Sequence, residues 1–285
     1  MGALDSLWKA NFAALEPYWP LVANELGNTF TALPLVGLGA DGLPNATSFT
    51  TRRSHANGIE AVFTWSSVPS VWDTPFLAGV ESNWQGIVPV LTFNGTDEEA
   101  DSPDAAYWSR DDSGGEAWSI GAWVNLTASA ATSEILSKND SDGNQIREWR
   151  FAFMTDETLG LFLTDESAGV SAARKSDAAV ATGVWIFVVA TYDGAGGATA
   201  ADTITLYVDG ASVASTATNN GSYVAMEDGG SRVGLGMRWG TTTSTNFFNG
   251  KMAGGPFGPF FTQAELTAAQ IKNLYVLGRA AMGLK

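Results

Sequence analysis

From about residue 85 onward, apolar and polar positions alternate in short runs, the period-two pattern of strands. In the stretch Trp118 to Leu126, Ile120, Ala122, Val124 and Leu126 fall on one side and Ser119, Gly121, Trp123 and Asn125 on the other. That pattern predicts a strand with one buried face. Similar runs predict strands at 87–93, 117–126, 134–137, 149–154, 159–164, 184–192, 204–208, 211–215, 232–237 and 249–254. Asp209-Gly210 separates two of them and is a strong hairpin signal. Residues 138–145 and 193–200 are polar or glycine-rich and read as loops. Short strands without intervening helices predict an all-β fold, an antiparallel double sheet packed as a β-sandwich. One helix is expected near the end: Thr262 to Glu265 fits a capping box, and Leu266, Ile271 and Leu274 follow on one side.

The first 84 residues read differently. Leu4, Leu7, Trp8, Phe12 and Leu15 recur at helical spacing, a pattern expected to stop at the Pro17 to Pro20 stretch. A short apolar run, Leu21 to Leu26, then ends at Gly27, and beyond it no period holds. Five of the eleven tryptophans (Trp8, Trp19, Trp65, Trp72 and Trp84) lie in this part, too many for a linker. Residues 1–84 are therefore expected to form an irregular, partly helical, aromatic-rich arm on a sandwich domain of residues 85–285. Its rings either make a satellite core or bury against the main domain or a neighbouring subunit. Trp8, Phe12, Trp19, Trp65 and Trp72, with Arg52 and Arg53 as counter-charges to the acidic main domain, are the candidate contact residues.

Composition narrows the chemistry. The 285 residues include no cysteine and one histidine, His55, which removes disulfides, thiol nucleophiles, thiolate metal sites and multi-histidine cages. Thirty acidic residues against fifteen basic ones give a formal charge of -15, a poor match to nucleic acid. No apolar run reaches 18 residues and residues 1–15 lack the apolar centre of a secretory signal, so neither a membrane partner nor export on its own signal is expected.

Several stretches, in order, resemble the laminin-G-like, concanavalin A-like jelly-roll domain in its bacterial and phage form. They are VLTFNGTDEEADSPD (90–104), AWSIGAWVNL (117–126), EILSKND (134–140), WRFAFMTDETLGLFL (149–163), GVWIFVVATYDG (183–194), ITLYVDGASVAS (204–215) and the closing FFNGKMAGGPFGPFFTQAELTAAQIKNLY (247–275). Phe93-Asn94-Gly95 stands where the family has a phenylalanine-aspartate-glycine turn, Trp185 where it has a tryptophan before the central strand, and Tyr207-Val208-Asp209-Gly210 at its hairpin signature. Ala253-Gly254-Gly255 lacks the family's acidic residue. The resemblance implies the fold; it hosts lectins, adhesion modules, glycan hydrolases and virion parts alike.

Candidate chemistry is correspondingly sparse. Asp97 and Asp101, in an acidic run, and Asp140 and Asp142, in a D-x-D-G-like loop, are the candidate Ca²⁺ ligands. Glu99, Asp101 and Asp104 resemble the E-x-D-x-x-E signature of laminarinase-like hydrolases, but Pro103 and an aspartate at 104 depart from it, and no catalytic residue is assigned. Trp239, beside a threonine-rich loop, and Asn246 are the candidate glycan contacts. Phe257, Phe260 and Phe261 read as an apolar plug or subunit contact. The first expectation is a non-enzymatic structural or decorating protein of a virion, in a capsid or tail, assembled in the host cytoplasm and held by its arm to other virion proteins or copies of itself. The alternative is a carbohydrate-binding or adhesion module at an extracellular or cell surface, with Ca²⁺ assistance. A glycan hydrolase is the third reading.

Overall fold

Helices α1 (Ala3–Leu15) and α2 (Tyr18–Leu26) open the chain. They are seen in a computed structural model that describes residues 3–27, 30–33, 37–38, 44–45, 48–50, 52–53, 62–67, 84–111, 114–128, 130–140, 142 and 146–285. The helical pattern was expected to stop at Pro17 to Pro20, yet α2 runs through Pro20. That proline sits in the first turn, where its missing N–H leaves no helical bond unmade.

Among the described residues, ten strands form one sheet and nine form a second. In the first, Trp118–Leu126 lies between Ile186–Tyr192 and Asn249–Ala253, with Val88–Asn94 beyond. In the second, the order is Ser215–Thr218, Val170–Ser176, Leu159–Asp165, Arg147–Phe153, Ser133–Asn139, Val233–Leu235, Glu99–Ser102, Val62–Ser67 and Ser48–Thr50. The registers given above are antiparallel throughout. Asp209 and Gly210 take φ of 52° and 77°, the left-handed pair that the hairpin signal requires. The molecule is an all-β jelly-roll sandwich with an N-terminal helical arm.

The aperiodic N-terminal stretch supplies strands to both sheets. Phe30–Ala32 pairs with Phe260–Thr262 and with Arg52–Arg53, while Val62–Ser67 pairs with Glu99–Ser102.

Two apolar layers result. The inner one lies between the sheets and holds Trp108, Trp118, Trp149, Tyr192 and Phe261. The outer one covers the far side of the first sheet, where Leu15, Trp19, Val22 and Leu26 meet Trp123, Phe187 and Val189 under helix α3 (Ala268–Ala281). This corrects the expectation of a half-buried Trp118–Leu126 strand: both of its faces are covered, and only Asn125 is partly exposed. Phe260–Thr262 ties the layers together, with Phe260 in the outer and Phe261 in the inner one, so the closing phenylalanines pack within their own chain.

Helix α3 begins five residues later than the capping pattern suggested. Thr267 accepts the Gln270 amide at 3.3 Å, and Gln270 Oε1 accepts the Thr267 amide at 3.0 Å. Thr262 is instead the end of a strand, and its hydroxyl donates to the Leu26 carbonyl at 2.8 Å. The helix lies on Trp123, whose ring stacks on Tyr275 at 5.6 Å and 11°. Gly278 permits that approach, since a Cβ there would stand 2.2 Å from Trp123 Nε1. Alanine in a helix interior is normally worth about 1 kcal/mol over glycine. Here the clash wins: Gly278→Ala is expected to lower stability by about 1–3 kcal/mol in urea unfolding.

Candidate functional site

The outward side of the second sheet is shaped by an irregularity in its central ladder. Glu134 lies opposite Ala152 and Leu136 opposite Phe151, so Ile135 is an extra residue, and both Ile135 and Leu136 pack in the inner core. Glu134 is thereby set on the opposite side, yet its side chain has no exposed surface. Segment 236–248 lies over it. The Asn246 carbonyl accepts the Glu134 amide at 3.0 Å, and Arg238 and Thr245 form a bridge by exchanging backbone hydrogen bonds of 2.8 and 3.0 Å.

Around Glu134 stand three arginines. Arg150 Nε donates to Glu134 Oε1 at 2.8 Å, one of its terminal nitrogens shares that oxygen, and its guanidinium lies 5.0 Å from the Phe162 ring centroid. Asn246 Nδ2 reaches the same Oε1 at 3.2 Å. Arg147 grips Glu166 with two bonds, 2.7 and 3.1 Å, and that carboxylate holds its guanidinium above the ordinary value. Arg238 is different. Burial and then the charge of Arg150 hold its guanidinium below the ordinary value, with Glu134 opposing and Arg147 adding to the fall. Among the described residues Arg238 makes no ion pair. Its Nε, Glu134 Oε2, Thr245 Oγ1 and Ser133 Oγ are all buried without a hydrogen-bond partner in the protein.

Asn246 is therefore part of a cluster, and it holds a left-handed φ of 57°, a strained conformation for a residue with a Cβ. Trp239 is half-buried, one residue beyond the Arg238–Thr245 bridge. Asp140 and Asp142 pin the loop that follows it. Asp140 accepts the Thr241 hydroxyl at 2.5 Å, and Asp142 accepts the Thr242 and Thr243 amides at 3.0 and 2.7 Å. Desolvation pushes against ionisation of Asp142, but these donors outweigh it and hold the carboxyl below its ordinary value. Asp97 and Asp101 are not brought to one partner: Asp97 accepts Asn94 Nδ2 at 2.8 Å, and Asp101 pairs with Arg232. Asp104 binds buried Lys138 at 2.9 Å. Among the described residues no three acidic or histidine side chains converge as a metal site would need.

The arm's rings turn inward where their side chains are described. Trp19 is 9% exposed in the outer layer, and Phe12 sits edge-on to Trp84 at 5.8 Å. For the others only the backbone is described: Trp8 in α1, Trp65 opposite Ala100, and Arg52 and Arg53 opposite Ala32 and Thr31. Trp72 and His55 lie outside the described residues. Sequence reasoning passed over Glu134, Arg147, Arg150 and Arg238. A faint signal existed in Arg150, which alternates with the inward Trp149 and Phe151.

Two packed antiparallel sheets with this strand order define the class as a jelly-roll sandwich. Residues 94–254 match the concanavalin A-like lectin/glucanases superfamily, and the chain belongs to that superfamily. No curated protein matches the sequence. Among solved structures the chain resembles the receptor-binding domain of botulinum neurotoxin mosaic serotype C/D, at 11% identity and a TM-score of 0.56, covering 89% of this chain and 51% of that one. It also resembles domain 4 of AbnA, an extracellular GH43 arabinanase from Geobacillus stearothermophilus, at 16% identity and a TM-score of 0.43, covering 65% and 76% of the two chains. A third is the CBM40 of the Ruminococcus gnavus IT-sialidase, bound to α2,3-sialyllactose, at 18% identity and a TM-score of 0.44, covering 57% and 83%. The chain spans about half the length of the neurotoxin binding domains it matches. At such identities the likeness is one of fold.

These comparisons correct the first functional expectation. The solved structure with a TM-score of 0.56 is a receptor-binding domain, not a capsid or tail protein, and the virion reading is withdrawn together with its virion partners and virion location. The matched superfamily holds lectins and glucanases alike, and the solved structure with a TM-score of 0.56 is a receptor-binding domain. No described helix is long and apolar enough to cross a membrane.

Proposed function

We propose that the chain is a carbohydrate-binding module working at an extracellular or cell surface, and that it engages glycan on the outer face of its second sheet around the half-exposed Arg238, Trp239 and Asn246. The observation that carries this reading is Asn246, half-exposed in a strained left-handed conformation between half-exposed neighbours on the loop that follows Arg238 and Trp239. Beneath it the fully buried Glu134 fixes both Asn246 and Arg150 through one oxygen. A sugar, dense in hydroxyls, suits a few fixed polar groups beside a ring. Because Asn246 is already held by Glu134, little side-chain freedom is lost on binding. Trp239, near the rim, offers a ring to a sugar face.

The test is a glycan array probed with the full chain and confirmed by calorimetry. Trp239→Ala and Asn246→Gly are each expected to weaken the best ligand at least tenfold; glycine removes the amide while tolerating the left-handed backbone. An array without reproducible binding would refute the reading.

A further inference from the structure

The helices on the far side of the first sheet form the face opposite the outer side of the second. There α2 and α3 run antiparallel. Gln270 Nε2, in the first turn of α3, donates to the Glu25 carbonyl near the end of α2 at 2.8 Å, and farther along both helices Leu21 and Val276 line one groove. That groove, of about 290 Å³, is bounded by Leu21, Asn24, Glu25, Asn273, Val276 and Leu277. Among the described residues five large apolar side chains stand exposed, and two of them, Leu21 at 49% and Val276 at 53%, share this groove. Charge is divided between its walls. Helix α2 carries Glu25 and no base, whereas α3 carries Lys272 and Arg279 and no acid, on a protein whose formal net charge is -15. Both cations rest on the Tyr275 ring, 4.7 and 5.5 Å from its centroid, and make no ion pair among the described residues.

We propose that this face joins two copies of the chain about a two-fold axis lying along the groove. Such an axis lays α2 of each copy over α3 of the other and keeps every residue at its own height along the helices. Leu21 then meets the partner's Val276. Glu25 lies one turn after Leu21 and Lys272 one turn before Val276, steps that point the same way in antiparallel helices. Glu25 therefore meets the partner's Lys272, and the symmetry makes that pair twice. An unrelated partner would have to bring an acidic row, a basic row and an apolar seam in this same order, whereas a second copy brings them by construction. Helices of 9 and 14 residues are about 14 and 21 Å long, too short to offer the roughly 800 Å² per partner of a standard interface. The dimer is accordingly a weak one, in the micromolar range. Back to back, the two copies turn their second sheets outward. Resting on the glycan-binding reading above, the pair is then bivalent toward a glycan-coated surface, where weak association suffices to slow release.

The experiment is sedimentation equilibrium of the full chain from about 1 to about 100 µM, with each variant first checked for an unchanged thermal melt. A monomer–dimer equilibrium is expected across that range, and Leu21→Arg should weaken the dimer at least tenfold. Glu25→Lys and Lys272→Glu should each weaken it several-fold. The double variant, which exchanges the two charges, should return it to within about threefold of the wild type. With a ligand from the glycan array fixed to a surface, Leu21→Arg should also speed release while leaving the affinity for free sugar unchanged. Arrays without binding would remove the glycan reading and its bivalency, and the dimer would stand on sedimentation alone. A chain still monomeric at the highest concentration, a dimer indifferent to Leu21→Arg, or a double variant no better than the single ones would overturn the proposal, whatever the arrays show.

Discussion

Replacing Phe261 by alanine is expected to lower the free energy of unfolding by about 4 kcal/mol, read as a fall in the urea midpoint with little change in slope. The ring is 1% exposed and packs against two indoles, Trp118 at 5.1 Å and 25° and Trp149 at 5.4 Å and 24°, which meet each other at 5.8 Å, with Trp108 edge-on at 5.7 Å. Removing a buried phenylalanine costs about 3–5 kcal/mol in transfer and cavity terms, and offset aromatic pairs add about 0.5–1.5 kcal/mol each. Against a typical total of about 5–15 kcal/mol, that is a large share. The surrounding Cα atoms cannot close the gap, because Phe261 is held in register by Ile120 on one side and Thr31 on the other. Three indoles report the change directly, so tryptophan emission should shift in the folded state as well. Phe261→Leu keeps most of the volume and should cost about half as much. Val224→Ala, at a side chain 66% exposed, should change stability by less than about 0.5 kcal/mol.

That aromatic stack also marks how far local pattern carries. Each of its strands is readable alone: Trp118 and Trp149 head alternating runs, and Phe261 stands in a recognisable closing stretch. What puts the three rings against each other is non-local pairing, Ser119 to Gly121 against Phe260–Thr262, over some 140 residues of chain. Strands without an apolar face escape detection for a related reason. Val170–Ser176 turns Ala172 inward and leaves Ser171, Ala173, Arg174 and Lys175 at least partly exposed, so its place in the sheet shows only when Leu159–Asp165 and Ser215–Thr218 are there to pair with it. In the arm, Phe30–Ala32 is three residues long, and pairing with Phe260–Thr262 outweighs its own propensity.

The candidate site was less legible than the fold. Asn246 and Trp239 could be nominated because amides and aromatic rings beside a polar loop suit sugars. Glu134 could not, since a glutamate at the start of an apolar strand reads as solvent-facing. Its burial depends on the extra residue at 135 and on segment 236–248, about a hundred residues away, closing over it. The aspartates suggested a cation because oxygen ligands were closely spaced. Spacing does not reveal competing donors, and the amides of 241–243 take up Asp142 while Arg232 takes Asp101.

Lys138 carries the second large effect, and its size should depend on pH. A register shift opposite Lys138 and Asn139 brings Glu148 to the lysine, whose side chain has no exposed surface and which contacts Glu148, the Gly229 carbonyl and, at 2.9 Å, Asp104. Burial pushes the Glu148 carboxyl up to about 7 from 4.5, against the pull of Lys138, the Gly229 amide and Ser109. Between those values the folded chain binds more protons than the unfolded one, so this group's contribution is whole below pH 4.5 and is lost as pH rises through 7. The loss amounts to about 3 kcal/mol. Asp165 runs the other way: burial opposes its ionisation, but the amides of Ala168, Val224 and Ala225 hold it below the ordinary value, and its contribution falls away in acid. The stability maximum is therefore expected near pH 5, roughly where neither loss has set in. Lys138→Met removes the cation paired with ionised Glu148. At pH 8 it should cost about 3–5 kcal/mol, the penalty for a buried charge stripped of its partner. At pH 5 the carboxyl is already protonated, and the same substitution should cost only about 1–2 kcal/mol. Glu148→Gln should flatten the wild-type slope between pH 5 and 8, and in the double variant the cost of Lys138→Met should lose its pH dependence. Urea midpoints of the four proteins at the two pH values decide it: an equal cost of Lys138→Met at pH 5 and pH 8 would mean that the lysine holds something other than the Glu148 charge.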